Sequence, residues 1–241
     1  MDNYNRTYNA YEQSVATEQS EATVFSALMR KVYVWMTLAL VLSGLTAYYV
    51  SGNYTLLEAI FTNKVLFWGL IIAEFGLVIG LSAAINKLSF PVAACMFAAY
   101  SIINGLLLSG IFIAYTMSSI ATTFFVTAGT FAAMAVVGTI TKMDLTKFGG
   151  ILIMALIGLI IATLVNLFLH NSTLELVISG IGVLIFTGLT AYDAQKIKEL
   201  MLQAEEVNDT TQKIAVLGAL SLYLDFINLF LYLLRFLGNR K

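Results

Sequence analysis

Seven long apolar runs divide the chain, each close to the roughly 20 residues a helix needs to cross the hydrocarbon core of a bilayer. They are Leu28–Val50, Val65–Ile85, Pro91–Thr116, Ile120–Thr141, Phe148–His170, Leu174–Ala194 and Ile214–Leu237. Short polar breaks separate them: Ser51-Gly52-Asn53, Asn86-Lys87, Met117-Ser118-Ser119, Lys142-Met143-Asp144 and His170-Asn171-Ser172. Pro91 falls in the first turn of the third run, where its missing N–H is tolerated. The pattern predicts an all-α membrane protein, a seven-transmembrane-helix bundle over residues 28–241. Residues 1–27 are polar, lack the apolar core of a signal peptide, and read as a disordered cytoplasmic tail.

Small residues recur at helical spacing in Gly76-x-x-x-Gly80, Ala94-x-x-x-Ala98, Ala128-x-x-x-Ala132 and Gly158-x-x-x-Ala162. Such pairs let helix backbones approach closely in lipid. Composition agrees with the pattern: 59% of the 241 residues are hydrophobic and 11% charged, where a soluble domain carries about 25% charged. A net charge of −1 excludes a nucleic-acid partner, which needs a concentrated basic face. Cys95 and His170 are each single, so zinc or iron–sulfur ligation has no donor set and no cofactor is expected. Cys95 reads as a buried thiol and His170 as an interfacial residue.

Orientation follows the excess of Lys and Arg in cytoplasmic loops. With the N-terminus inside, that side carries Arg6, Arg30, Lys31, Lys87, Lys142, Lys147, Lys196, Lys198 and Lys213, nine against the four of Lys64, Arg235, Arg240 and Lys241. A cytoplasmic N-terminus with seven full crossings is therefore expected. A compact chain without an added sorting segment points to a bacterial plasma (inner) membrane.

An ionised side chain at the bilayer centre costs about 2.5–3.5 kcal/mol on insertion scales. Acids retained there therefore face a partner, a cavity or water. Glu74 lies in the second run, Asp193 at the end of the sixth and Asp225 in the seventh. Asp225 stands about 16 Å into its run at 1.5 Å per residue, near the midplane, with Asn228 one turn on along the same face. Asp193 precedes Lys196 and Lys198, so an interfacial charge flanked by snorkelling lysines is the competing reading. Asn104, Asn166, Thr122 and Thr123 read as interhelical hydrogen-bonding groups.

The stretches Gly188-Leu-Thr-Ala-Tyr-Asp-Ala-Gln-Lys-Ile197 and Ala219-Leu-Ser-Leu-Tyr-Leu-Asp-Phe-Ile-Asn-Leu-Phe230 together resemble the Bax inhibitor-1 family, also called the transmembrane Bax-inhibitor-motif family. Ile79-Gly-Leu-Ser-Ala-Ala-Ile-Asn-Lys-Leu88 and Asn104-Gly105 fit the same pattern. The resemblance implies a central seventh helix and a pH-sensitive calcium leak gated by an aspartate pair, Asp193 and Asp225. Glu74, Asn104 and Asn228 are the expected ion pathway, and the pair would hold permeant calcium only transiently. Family members often carry an arginine near the end of the second helix as a latch. Ala83-Ala84 stand there in this chain, with Lys87 the nearest cation.

Two carboxylates close together in a poorly hydrated site resist joint ionisation, so the pair tends to hold one proton and titrates as a unit. Calcium, a hard cation, favours carboxylate and carbonyl oxygens. The expected function is a non-enzymatic, pH-sensitive calcium-permeable leak channel. The alternative is a membrane-embedded regulator that contacts other membrane proteins, such as a membrane-anchored AAA protease, without ion flux. An intramembrane aspartyl protease would expect Gly-x-Gly-Asp, and Thr190-Ala-Tyr-Asp193 and Leu222-Tyr-Leu-Asp225 depart from that.

Overall fold

The computed structural model describes residues 2–241, with side chains from Glu21 onward. Its helices are α1 (Asp2–Ser51), α2 (Tyr54–Thr62), α3 (Lys64–Ala84), α4 (Phe90–Leu108), α5 (Ile111–Ala114), α6 (Met117–Ile140), α7 (Thr146–Leu169), α8 (Ser172–Leu202) and α9 (Asp209–Leu237). Among the described residues, seven stretches are long and apolar enough to cross a membrane: Glu21–Ser51 of α1, α3, Phe90–Ala114 spanning α4 and α5, α6, α7, α8 and α9. The expected tail over residues 1–27 falls mostly outside the residues with described side chains. Its last part, from Glu21, belongs to α1.

Two of the polar breaks, through Asn53 and Asn171, supply helix caps, and Asn63, Thr116 and Asn208 supply the other side-chain caps. Asn53 accepts from Leu56 N–H to start α2, and Asn63 accepts from the amides of Val65 and Leu66 to start α3. Thr116 caps α6 through Ser119 N–H, and Asn171 caps α8 through Leu174 N–H. Asn208 and Thr211 form a reciprocal capping box at α9. Each satisfies amides that the first helical turn leaves without a partner. His170 ends α7 in the left-handed conformation (φ 49°), and Pro91 lies at the start of α4. Asn166 is a cap as well, accepting from Asn171 N–H rather than bridging two helices.

In lipid every backbone and most side-chain polar groups must be satisfied within the protein, so the most enclosed helix is the one that can carry them. That helix is α9, which packs most extensively on α8 and also on α1, α6 and α4. Leu222, Tyr223 and Leu229 of α9 are fully buried. Phe97 and Tyr100 meet the Tyr223 ring edge-on at 5.8 and 5.7 Å, and Phe124 and Phe131 meet Phe226 at 5.5 Å each. By contrast α3 and α7 turn large apolar side chains outward, among them Trp68, Ile72, Phe75, Ile157, Ile161 and Phe168. A soluble protein would expose no such continuous apolar surface.

Three expectations need correction. The sixth span does not stop at Ala194 but continues to Leu202, because Ile197 and Met201 carry the buried stripe of α8 past the lysines. Cys95 is exposed on the outer surface of α4, not buried, since apolar surroundings in a membrane protein include lipid. Of the small-residue pairs, Ala128 and Ala162 pack against the core, but the glycines of the pairs do not mark the close crossings. An added Cβ at Gly76 or Gly158 would meet nothing within 4 Å, whereas at Gly138 it would lie 2.2 Å from Ala191 O and at Gly105 2.6 Å from Ser43 O. The close contacts use glycines outside the repeated pairs.

The two ends of the bundle differ. Where α8 stops and α9 begins, Lys213 donates to Leu88 O (2.8 Å) and lies 3.5 Å from Asp209, whose carboxylate accepts from Phe90 N–H. Lys31 donates to Gln212 and Lys198 to Thr139 O at the same end. At the other end the C-terminal residues fold back on the α5–α6 connection: Lys241 N–H donates to Ala114 O, Thr116 N–H to Asn239 O, and Arg240 pairs with Glu175.

Candidate functional site

On α9 the side chains of Tyr223 and Asp225 stand two residues apart, about 200° around the helix at 3.6 residues per turn. They point to opposite sides of the most buried helix, and each organises a polar cluster of its own.

Asp225 faces α8. Its carboxyl is a hydrogen-bonding and charge neighbour of the Asp193 carboxyl, so the two sequence-predicted acids meet at the α8–α9 interface. The continuation of α8 to Leu202 brings this about, because Asp193 then lies well inside its helix rather than at an interfacial end. Asp225 is 5% exposed, and its Oδ2 has no hydrogen-bond partner. Asp193 is half-buried. A cavity of about 90 Å³ between α8 and α9 is bounded by Asp193, Lys196, Ile197, Met201, Gly218 and Ser221. It approaches the pair from the end where α8 stops, and Asp225 lies one turn beyond Ser221. The charge nearest Asp193 is Lys196, one turn along the same helix; its ammonium lies 5.9 Å from the Tyr192 ring centroid. Lys87, the cation nearest the Ala83-Ala84 position in sequence, is exposed.

Tyr223 faces the other way. Its hydroxyl donates to Asn104 Oδ1 (3.0 Å), and Asn104 Nδ2 donates to Glu74. The hydroxyl also lies 2.5 Å from Ser43 Oγ. Tyr100 also lies near Glu74. Glu74 and Asn104 therefore belong to a cluster on the far side of α9 from the aspartates, joining α3, α4, α9 and α1. Asn228 donates to Leu224 O within its own helix (2.8 Å) and is half-buried, one turn past Asp225. The expected gating pair, Asp193 and Asp225, thus meets with Asn228 one turn along, while Glu74 and Asn104 of the expected ion pathway form a separate station.

Sequence reasoning missed Ser43, Tyr100 and Tyr223. Each sits in an apolar run where a hydroxyl passes for an ordinary packing residue. The one signal was Tyr223 lying two places before Asp225, which puts a second polar group on the opposite face of the same span.

Outside the spans, the Asp144 carboxyl is held below the usual carboxylate range by hydrogen bonds from the hydroxyl and amide of Thr146, with Lys147 adding to the effect. Arg240 is held above its ordinary value by Tyr115 and Glu175. Among the described residues no three His, Cys, Asp or Glu side chains converge as a metal site would require. Two carboxylates can attract a divalent cation without enclosing it.

The family profile described as inhibitor of apoptosis-promoting Bax1 matches residues 25–241. Among similar proteins, the inner membrane protein YbhL of Escherichia coli K12 is 52% identical over 215 residues, covering 88% of this chain and 92% of that protein. An uncharacterized protein of Borreliella burgdorferi is 47% identical, covering 93% and 97%. An uncharacterized membrane protein of Streptococcus pyogenes is 37% identical, covering 87% and 91%.

Proposed function

The chain belongs to the Bax inhibitor-1 family, and from that premise we propose that it is a pH-sensitive, calcium-permeable leak channel of a bacterial inner membrane. One observation carries the reading: Asp193 and Asp225 come together inside a multi-pass bundle, with a cavity leading to Asp193 from one end. Two carboxyl groups in such a place hold one proton between them, and losing it adds negative charge where α8 meets α9. The deprotonated pair attracts a hard cation but offers too few oxygens to retain it, which suits conduction. Asn228 is the next polar group along α9. Glu74 and Asn104 form a second polar station across α9.

The lysine-rich end of the bundle, with Lys31, Lys87, Lys142, Lys147, Lys196, Lys198 and Lys213, is assigned to the cytoplasm. The cavity then opens inward. Lys196 stands beside Asp193 as a tethered cation that a permeant ion must displace. No chemical step is assigned to the chain, and its roles follow from charge and hydration alone.

The test is calcium influx into liposomes carrying the purified protein, compared across pH with Asp193→Asn and Asp225→Asn. Wild type should conduct in a pH-dependent manner, and each variant should lose or flatten that dependence. Identical flux and pH response in all three removes the pair from the mechanism. Wild-type liposomes no leakier than empty ones at any pH would overturn the channel reading and leave the partner-binding alternative.

A further inference from the structure

The cluster behind α9 has a proton count that its distances do not satisfy. With Asn104 Nδ2 donating to Glu74 and Tyr223 donating to Asn104 Oδ1, the Tyr223 proton is committed. The single proton of Ser43 then faces three oxygens: Tyr223 Oη at 2.5 Å, Ser101 O at 2.8 Å and Ala39 O at 2.9 Å. Ser43 is 1% exposed and Asn104 8%, so water does not make up the deficit. A buried oxygen–oxygen contact without a proton between the atoms is unfavourable.

One added proton narrows the deficit. If Glu74 is protonated, its O–H donates to Asn104 Oδ1 and the amide turns over, so that Nδ2 donates to Tyr223 Oη. Tyr223 then donates to Ser43 Oγ, and the Ser43 proton is free for Ser101 O and Ala39 O. Four of the five contacts then hold a proton, against three before, with the Ser43 proton shared between Ser101 O and Ala39 O; no bond to hydrogen breaks, and the one proton enters at Glu74 from solution. We infer that Glu74 is a second proton-binding site, separate from the aspartate pair, whose occupancy reverses the direction of the hydrogen-bond chain Glu74–Asn104–Tyr223–Ser43.

Position supports the assignment. Residue 74 is the middle of α3 (Lys64–Ala84) and is half-buried. The titratable groups facing it are Tyr100 of α4 and Tyr223 of α9, while α2 contributes the exposed Tyr54 and Glu58. Among the described residues the ion pairs are Lys213–Asp209 and Arg240–Glu175, so Glu74 has no cationic partner. The chain ties peripheral α3 to α4, then to α9 and α1. Its reversal is therefore felt at Ser43, where Gly105 of α4 crosses α1 at close range.

Infrared difference spectra on acidification, recorded on liposome-reconstituted protein, test this without reference to flux. The background is Asp193→Asn/Asp225→Asn, which removes the pair's signal. A protonated-carboxyl band should appear there and vanish when Glu74→Gln is added. Tyr223→Phe, which cuts the chain two links away, should shift the band's frequency and its titration midpoint. If Tyr223→Phe does not fold, Ser43→Ala at the end of the chain should shift the same band. No band sensitive to Glu74→Gln, or a band unmoved by cutting the chain in a folded variant, overturns the assignment. Either result leaves the calcium-leak reading standing on its own test.

Discussion

Gly138 to alanine is the substitution whose consequence the geometry fixes most closely. A methyl group there would lie 2.2 Å from the Ala191 carbonyl oxygen and 2.9 Å from Ala191 C and Cα. All three are backbone atoms of α8, held by helical hydrogen bonds, so no side-chain rotation relieves the clash. Ordinary contact begins near 3.4 Å, so α6 and α8 must part by roughly 1 Å at this crossing, enough to forfeit much of the local dispersion energy. Overpacking of this kind costs about 1–3 kcal/mol. Alanine also gains about 1 kcal/mol of helix propensity over glycine, which would mask part of the cost. Gly129→Ala is the matched control, because it lies on the same helix, gains the same propensity and meets nothing within 4 Å. The difference between the two variants isolates the clash. At this chain length each kcal/mol moves Tm by about 2–4 °C, so Gly138→Ala should melt about 2–12 °C below Gly129→Ala in the same detergent. Ala191 is two residues from Asp193, so the displacement should also loosen the aspartate pair and alter the pH response of any flux. Equal melting temperatures for the two alanine variants would refute the crossing geometry and, with it, the placement of Asp193.

Two further outcomes follow from the end of the bundle where α8 stops. The folded-state titration of Asp144 is depressed by Thr146, so its contribution is present above the ordinary carboxylate value of about 3.9 and is lost as pH falls through the lower folded value. Thr146→Val removes the hydroxyl bond, which should raise the Asp144 midpoint toward the ordinary value in a carboxylate NMR titration; an unmoved midpoint refutes the cause. Lys213 is 7% exposed and donates to Leu88 O. Lys213→Met leaves that carbonyl without its donor and should cost about 1–3 kcal/mol, read as a lower unfolding midpoint; an unchanged midpoint would show that the contact contributes nothing.

Hydropathy made the spans legible because, in lipid, the apolar requirement acts on the whole circumference of a helix and not on one stripe. The breaks it marked at Asn53 and Asn171 proved to be caps, residue types that satisfy free amides, whereas the cap Thr116 lay inside the third run. Hydropathy failed where solvent changes along a helix. α8 leaves the apolar run at Ala194 yet stays helical to Leu202, and only Ile197 and Met201, buried beyond the lysines, betray the continuation. That error placed Asp193 at an interface. The acids themselves were legible, because charge is rare in a span. The Asp193–Asp225 pairing was legible through the family resemblance, but the separation of Glu74 was not: it meets α9 on the side away from Asp225. Hydroxyls gave least warning. Ser43 and Tyr223 sit among leucines as hundreds of lipid-buried residues do, and only their shared 2.5 Å contact sets them apart.

The central place of α9 has a cause that links both clusters. A polar side chain in hydrocarbon needs a partner on whichever side it faces. A helix with polar groups on one side alone can lie at the edge of a bundle, as α3 does with Glu74 turned toward α4. Tyr223 and Asp225 face opposite sides, so α9 must be covered on both, by α8 on one and by α1 and α4 on the other. The seventh span is thus central because two residues in Leu222-Tyr-Leu-Asp225 demand partners on opposite sides. Asn228 fits the same rule by a different route: it turns back on Leu224 O and asks nothing of its neighbours. Because one helix carries both polar clusters, a rotation of α9 that separated Asp225 from Asp193 would also draw Tyr223 from Ser43, and the two proton-holding groups would answer to a single movement.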